Sequence, residues 1–278
     1  MLTARELKSL LAAHGLRLSK RLGQHYLVDR RVIERVVQAC GLTRRDVVVE
    51  IGAGLGALTE PLAAAAGRVI AVEFDPKIFA LLARRMAGRA NVEPVCQDIL
   101  SFAWPQVPGA VAIGAIPYEI TSPILVALAE ARTAIPRAIL IIQREVADRL
   151  LAAPGTRAYG RLSVLTRYCW EVRRVLNIPR GAFVPPPAVE SACVRLDARA
   201  TPPVAVDEAR FFELVKAAFA QRRKTLVNCL LAHRAFGLSR SQAEAAVLAV
   251  GLPATVRGEI CTLEHFAALT TALVGAAR

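Results

Sequence analysis

The sequence lacks the features that mark membrane proteins and repeat proteins. No uninterrupted apolar run reaches the roughly 18 residues needed to span a bilayer. Residues 1–5 lead into an amphipathic stretch and not into the apolar segment of a signal peptide. The 278 residues contain no internal repeat and no low-complexity tract. We therefore expect a cytoplasmic globular protein with no membrane partner.

Cysteine occurs only as six scattered residues, and no two of them form a C-x-x-C pair. This absence argues against a disulfide framework, a thiol redox motif and the common zinc sites, so no metal is predicted. Because each cysteine lies in an apolar context, we expect all of them to be small buried residues. They are Cys40, Cys96, Cys169, Cys193, Cys229 and Cys261.

Acidic residues are scarce compared with basic ones. There are 23 Asp and Glu against 36 Lys and Arg, which gives a formal net charge of +13. Such an excess indicates an anionic partner, with nucleic acid favoured and an anionic membrane surface as the alternative. The charge is +10 over the first 203 residues and +3 over the last 75. The basic surface is therefore not confined to a tail.

Short β-branched runs alternate with helical patterns over the first 200 residues, which predicts an α/β fold with a predominantly parallel sheet. The strands are predicted at Val47–Ile51, Val69–Val72, Val92–Val95, Ala110–Gly114 and Ala138–Ile142. Helices are predicted over residues 1–20, 32–40, 57–66, 78–86 and 124–131. We assign residues 1–200 to a Rossmann-like catalytic domain that begins with a helical and basic segment, residues 1–45.

A second, all-α domain is predicted from residue 201 to residue 278. The segment Asp197–Glu208, which contains Pro202 and Pro203, has the composition of a linker. Beyond it, residues 209–231, 242–250 and 263–274 have helical patterns.

Three glycines follow the first predicted strand of the sheet, in the run Gly52-Ala53-Gly54-Leu55-Gly56. Glycine is required where the backbone turns tightly and lets a ligand approach closely. An ordinary strand-to-helix turn would explain the run equally well, so the glycines alone do not define a site.

Two acids strengthen the case for a nucleoside ligand. Glu73 lies 17 positions after Gly56 at the end of the second strand, where a carboxylate can accept hydrogen bonds from ribose hydroxyls. Asp98 follows the third strand and is placed to contact an adenine edge. The loop is G-x-G-x-G and not the G-x-G-x-x-G of many NAD sites, which favours S-adenosylmethionine over NAD.

The segment Gly114–Pro123 resembles the N-L-P-Y-N-I-S/T loop of the KsgA-type small-subunit rRNA adenine dimethyltransferases, which are related to the Erm rRNA methyltransferases. Other stretches resemble the same family in the same order and extend the likeness over nearly the whole chain. They are residues 20–27, 143–146, 159–163, 183–187 and 221–225. The resemblance implies a class I methyltransferase fold, S-adenosylmethionine as methyl donor, and dimethylation of adjacent adenines in small-subunit rRNA.

The resemblance also implies the site residues. The cofactor pocket is expected at His25, Leu27, Gly52, Gly54, Glu73, Asp98 and Ala115. The catalytic loop is expected at Ala115, Ile116, Pro117 and Tyr118, with Tyr118 stacking on an everted base and Phe183 as a second stacking face.

Residue 115 departs from the family pattern, because Ala stands where the family has Asn. An exocyclic adenine amine is a poor nucleophile, so the site must orient it and accept its hydrogens, and Ala has no side-chain acceptor. Glu119 replaces a neutral residue in the same loop. Three explanations stay open: the carbonyl of Ile116 suffices, Glu119 reaches the amine, or the chain binds RNA without modifying it efficiently.

The RNA-binding residues are predicted at Lys20, Arg21, Arg222, Arg223 and Lys224, with Arg30 and Arg31 as further candidates. The stretch Gln221–Thr225 is expected inside a helix. The expected partner is small-subunit rRNA in a maturing ribosomal particle, with the protein acting as a monomer. Alternatives are an impaired rRNA-binding assembly factor, an Erm-like methyltransferase of large-subunit rRNA, and an enzyme of small molecules, which leaves the charge unexplained.

Overall fold

The computed structural model describes residues 2–16, 25–104 and 110–276. The chain divides into two compact units. The first consists of Met1–Ala147 and Val172–Ala198, and the second of Asp148–Glu171 and Arg199–Arg278. The second unit thus takes in a segment that the sequence assigns to the catalytic domain. The domain division at residue 200 stays a prediction.

A seven-stranded sheet forms the centre of the first unit. Its strands are β2 (Val47–Ile51), β3 (Arg68–Glu73), β4 (Val92–Cys96), β5 (Val111–Ala115), β6 (Arg137–Gln143), β7 (Trp170–Ile178) and β9 (Ser191–Ala198), in the order β4-β3-β2-β5-β6-β9-β7. The pairs from β4 to β6 are parallel, and β9 runs antiparallel to β6. A separate two-stranded sheet joins β1 (Tyr26–Leu27) to β8 (Phe183–Val184). The predicted α/β class I methyltransferase fold, with a predominantly parallel sheet, is confirmed.

Helices precede, connect and follow the parallel strands of the first unit, and capping residues mark the ends of some of them. They are α1 (Ala4–Ala13), α2 (Arg30–Cys40), α3 (Thr59–Ala65), α4 (Pro76–Met86), α5 (Thr121–Glu130) and α6 (Arg144–Leu151). The Asp29 carboxylate accepts from the N–H groups of Arg31 and Val32, which starts α2, and Gly41 ends it with a left-handed φ of +57°. Asp75 caps α4, whose first residue is Pro76.

The core of the first unit lies around β2 and β5, which are adjacent in the middle of the sheet. Parallel strands that are covered on both faces have continuously apolar sequences. Val48, Val49 and Val111 are buried, as expected for such strands. Gly114 is needed because a Cβ there would lie 2.4 Å from the carbonyl oxygen of Ile51 on the paired strand. The carboxyl ends of β2, β3 and β5 therefore meet at one edge of a rigid sheet.

The second unit is helical apart from the first two residues of β7. It contains α7 (Arg161–Cys169), α8 (Glu208–Ala218), α9 (Leu226–Ala232), α10 (Arg240–Ala249) and α11 (Leu263–Ala276). Its core is built on aromatic contacts, in which Phe211 lies 5.1 Å from Tyr168 and 6.4 Å from Phe266, measured between ring centroids. Because the helices of this unit are short, its large aromatic side chains supply much of the apolar surface that is buried in its core.

Several sequence-based expectations about secondary structure were wrong. The predicted helix over residues 209–231 is two helices, because Thr225 caps a new helix by accepting from the N–H of Asn228. The predicted linker begins inside β9, and β7 was not predicted. Cys96 is exposed at the end of β4, whereas the other five cysteines are buried as expected.

Candidate active site

The glycine run after β2 forms a tight turn at the carboxyl edge of the sheet. Gly52, Gly54 and Gly56 all have positive φ values, of +68°, +57° and +84°. The N–H of Ala53 donates to the carbonyl of Val72 over 2.9 Å, which ties the turn to β3. A Cβ at residue 54 would lie 2.9 Å from the ring of Tyr26. The turn therefore depends on glycine for both its conformation and its space.

Glu73 ends β3 and is held by the glycine turn. Its carboxylate accepts from the N–H of Gly54 over 2.8 Å and from the N–H of Asp75 over 2.9 Å. Burial raises the pKa of Glu73 above its usual value, and the two N–H donors oppose that rise. A carboxylate has about four acceptor positions, so this one retains capacity for a ligand while its orientation is fixed.

A cavity of about 330 Å³ lies beside the turn. All of the residues predicted to bind the cofactor line it, although they come from five separate segments of the chain. They are His25, Leu27, Gly52, Gly54, Glu73, Asp98 and Ala115. A volume of this size is at the lower end of the roughly 300–1,000 Å³ typical of ligand pockets.

The structure adds cavity residues that the sequence interpretation missed. Glu50 is buried in β2 and accepts from the hydroxyl of Thr59 over 2.5 Å; burial raises the pKa of Glu50 to about 8. Phe74 and Leu100 are large apolar residues that line the cavity and are 59% and 44% exposed. A single acid in an apolar strand was a signal for Glu50. The two apolar residues carried no signal beyond their places after Glu73 and Asp98.

The predicted catalytic loop follows β5 and borders the same cavity, which Ala115, Pro117 and Glu119 line. The N–H of Ile116 donates to the carbonyl of Ile141 over 2.9 Å, and the Ile116 side chain is buried. The backbone of the loop is therefore anchored to the neighbouring strand.

Tyr118 is half-buried and held from two sides. Its hydroxyl is 2.9 Å from the hydroxyl of Ser191, and its ring stacks on His25 with centroids 6.1 Å apart. Nδ1 of His25 is 2.8 Å from the carbonyl oxygen of Pro185. Burial raises the pKa of Tyr118. The ring is therefore neutral and fixed in orientation, as a stacking surface requires.

Phe183 does not offer the second stacking face that the sequence predicts. Its side chain is 4% exposed and lies in the core of the first unit. The cause is the pairing of β8 with β1, in which Phe183 is opposite Leu27. That pairing joins segments far apart in sequence, so a local pattern could not reveal it.

The predicted RNA-binding residues of the second unit lie in a turn between α8 and α9, and not within a helix. Arg222, Arg223 and Lys224 are all exposed. Arg222 and Arg223 line a cleft of the second unit together with Gly155, Thr156, Arg157, Arg257 and Glu259. Arg222 donates to the carbonyl of Arg157, and its Nε lies 3.7 Å from a carboxylate oxygen of Glu259.

The remaining basic candidates belong to the first unit. Arg30 and Arg31 are exposed at the start of α2, and Arg30 pairs with Glu34 over 2.8 Å. Lys20 and Arg21 lie outside the described residues, as does part of the predicted helix over residues 1–20.

The part of the chain that the structure describes has neither a metal-binding cluster nor a helix that could span a membrane. There, no three His, Cys, Asp or Glu side chains are grouped so as to hold a metal ion. No helix within the described ranges combines the length and apolar character that crossing a membrane requires.

Two solved structures resemble this fold over most of the chain. A dimethyladenosine transferase from Plasmodium falciparum has a TM-score of 0.75 and 25% identity, with 88% of this chain and 96% of that one covered. The 23S rRNA methyltransferase ErmE has a TM-score of 0.66 and 31% identity, with 90% and 99% covered.

Proteins of similar sequence are also rRNA methyltransferases by name. The chain is 40% identical over 277 residues to the ribosomal RNA small subunit methyltransferase A of Geobacillus thermodenitrificans. The alignment covers 96% of this chain and 94% of that protein. It is 38% identical over 282 residues to the protein of the same name from Bacillus mycoides, with 98% and 97% covered. The family model described as ribosomal RNA adenine dimethylase matches residues 15–251. The chain therefore belongs to the ribosomal RNA adenine dimethylase family of methyltransferases.

Proposed function

We propose that this chain transfers methyl groups from S-adenosylmethionine to the N6 amines of adjacent adenines in small-subunit rRNA. The observation that carries the proposal is the convergence of five separate segments on one cavity, which Pro117 and Glu119 of the catalytic loop also line. The names of the bacterial relatives favour the small subunit as the source of the RNA.

The residues of the cavity fit S-adenosylmethionine. Glu73 has free acceptor capacity for ribose hydroxyls, Asp98 is placed for an adenine edge, and the glycine turn lets a ligand approach the backbone. Phe74 and Leu100 offer apolar surface for a purine ring. When bound, the cofactor supplies a methyl group on a positively charged sulfur, chemistry for which no metal is needed.

The catalytic loop orients the adenine. Tyr118 offers its fixed ring for stacking, and the carbonyl of Ile116 accepts one hydrogen of the amine. Ala115 offers no second acceptor. One such hydrogen bond is worth about 1–3 kcal/mol, or roughly ten- to a hundredfold in rate if nothing replaces it. We propose a working but weakened enzyme.

The basic surface binds the RNA. Arg222, Arg223 and Lys224 are exposed together at one turn, in a protein of net charge +13. Neutralisation of phosphates by such cations supplies affinity without reading sequence. We propose that the chain works in the cytoplasm as a monomer, on a maturing small ribosomal particle.

Methyl transfer to immature small subunits tests the proposal. The chain is incubated with methyl-labelled S-adenosylmethionine and particles that lack the modification, and the labelled nucleosides are identified by mass spectrometry. Dimethyladenosine at two adjacent positions is expected. Absence of label, with the cofactor and the particle both bound, would instead favour an rRNA-binding assembly factor. That second candidate rests on Ala115.

Large-subunit rRNA is the substrate of the other alternative. The structural likeness to ErmE is the observation that favours it. Protein-free large-subunit rRNA is therefore included as a parallel substrate in the same assay. Label on that RNA and none on small subunits would replace the present proposal with an Erm-like function.

A further inference from the structure

Methylation of an amine produces a proton for every methyl group added, so a site for this reaction needs a group that can accept it. The cavity beside the glycine turn offers a limited set of titratable side chains. They are His25, Tyr26, Glu50, Glu73, Asp75, Asp98 and Glu119. A side chain that already accepts hydrogen bonds within the protein is less available to accept a proton from the substrate amine.

Four of the carboxylates already have backbone or hydroxyl donors. Glu50 accepts from Thr59, and Glu73 accepts from two backbone N–H groups. Asp75 caps α4, and Asp98 accepts from the N–H of Leu100 over 2.9 Å. These acids hold the framework of the site together, and each would have to break a stabilising contact to rotate toward a substrate.

His25 and Tyr26 are no better placed. The ring of His25 is fixed by the carbonyl of Pro185 and by its stacking on Tyr118. Burial raises the pKa of Tyr26 well above its usual range, so its hydroxyl stays protonated. Neither residue offers a free anionic acceptor.

Glu119 is different from the other carboxylates of the cavity. It lies in the short 3₁₀ turn Tyr118–Ile120, immediately before α5, and it is exposed. Among the described residues, no hydrogen bond or ion pair of its side chain is found. It lines the cavity together with Ala115 and Pro117. Residue 115 ends at Cβ and has no side-chain acceptor of its own to offer the cavity.

We infer that the Glu119 carboxylate is a catalytic residue that accepts an N–H of the substrate amine. This inference rests on the proposed function. The amine nitrogen gives its lone pair to the methyl carbon, and the electron pair of the broken carbon–sulfur bond stays on sulfur. The nitrogen then loses a proton to an oxygen of Glu119, which releases it to water. Glu119 thereby takes over the acceptor role that Ala115 cannot fill.

Single-turnover methylation of four variants tests this inference. Glu119→Ala removes the acceptor, Glu119→Gln keeps a neutral acceptor, and Ala115→Asn is made alone and with Glu119→Ala. We expect Glu119→Ala to lower the rate by about tenfold or more and Glu119→Gln to lower it less. Adding Ala115→Asn should raise the rate about tenfold in the Glu119→Ala background but only about threefold in the wild type, because the two acceptors substitute for one another.

Glu130→Ala provides the matched control, because Glu130 is an exposed carboxylate at the far end of α5. Its rate should stay within about twofold of the wild type. Calorimetric titration with S-adenosylhomocysteine supplies a readout besides activity. Its dissociation constant should be unchanged by Glu119→Ala, since the residue acts on the amine and not on the cofactor.

Three results would overturn the inference. If the wild type methylates and Glu119→Ala methylates equally fast, Glu119 has no role and the proposed function survives. If Glu119→Ala weakens S-adenosylhomocysteine binding by the whole factor lost in rate, the residue belongs to the cofactor site instead. A wild type that binds cofactor and RNA but transfers no methyl would end both proposals.

Discussion

The cavity of the first unit and the arginine cleft of the second hold charge in opposite ways. In the cavity, Glu73 is 9% exposed and fixed by two backbone N–H donors. In the cleft, Arg222 and Arg223 are exposed, and Nε of Arg222 lies 3.7 Å from a carboxylate oxygen of Glu259. Fixed, desolvated groups suit a small ligand of defined shape, whereas exposed cations suit a long polyanion. Substitutions in the cavity of the first unit should therefore change cofactor binding, and substitutions in the cleft of the second unit should change RNA binding.

The largest expected effect concerns Glu50, the most deeply buried acid of the cavity. Burial raises the pKa of Glu50 to about 8, above its ordinary 4.5. The folded chain keeps this proton while the unfolded chain loses it, so the free energy of unfolding should fall as pH rises from about 5 to 8, by up to roughly 1.4 kcal/mol per pH unit from this group.

Glu50→Gln should remove that contribution while keeping an acceptor for Thr59. Its stability advantage over the wild type should grow with pH in urea titrations and level off above the folded pKa. Glu93→Gln changes an exposed acid of β4, in the same sheet, and is the control. Parallel pH profiles for Glu50→Gln and the wild type would show that Glu50 is not a desolvated acid.

Among single substitutions in the two units, the one at Glu73 should have the largest effect on cofactor affinity. Glu73→Ala removes the expected partner of both ribose hydroxyls, and two such hydrogen bonds are worth about 3 kcal/mol, or roughly a hundredfold in affinity. Calorimetry with S-adenosylhomocysteine measures the loss. Glu93→Ala should leave the affinity unchanged, and equal affinities for Glu73→Ala and the wild type would remove Glu73 from the site.

RNA binding by the cleft should depend on salt concentration, whereas cofactor binding in the cavity should not. Replacing Arg222 and Arg223 together by Ala should weaken RNA binding about tenfold at moderate salt and flatten the plot of log K against log salt by roughly 1.4 to 1.8, as expected for two lost phosphate contacts. Cofactor affinity should not change. Arg89→Ala, at an exposed arginine of the first unit, is the control. An unaltered salt slope would exclude the cleft from the RNA interface.

The smallest expected effect is at Ala115, where the cavity departs from its family. Ala115→Asn restores a side-chain acceptor beside one that Glu119 already provides, so the single-turnover rate should rise only about threefold. Rapid-quench measurement with saturating cofactor detects a change of this size. A rate that stays constant or falls would mean that the loop already has all the acceptors it can use.

Much of the cavity could be predicted from the sequence, because its residues follow strands that their own local patterns reveal. The β-branched run before Gly52 and the acids at the ends of β3 and β4 are local signals, and parallel strands bring such ends to one edge. The cavity residues at Phe74 and Leu100 left no comparable signal. Their role depends on apolar side chains that stay exposed, which patterning cannot distinguish from ordinary surface residues.

The second unit and the later strands of the first unit were harder to predict, because their architecture depends on distant contacts. No glycine or proline marks the break between α8 and α9, and only the cap at Thr225 does so. Strand β7 carries charged residues that interrupt an apolar pattern, and its place beside β9 depends on sheet order. Burial of Phe183 likewise depends on a pairing with residues far away in the chain.

Identification of the labelled nucleosides after reaction with immature small subunits tests directly whether the chain dimethylates adenines of small-subunit rRNA. We expect dimethyladenosine at two adjacent adenines, formed by the wild type and lost with Glu73→Ala. A chain that binds S-adenosylmethionine and the particle but leaves every adenine unmethylated would contradict this expectation.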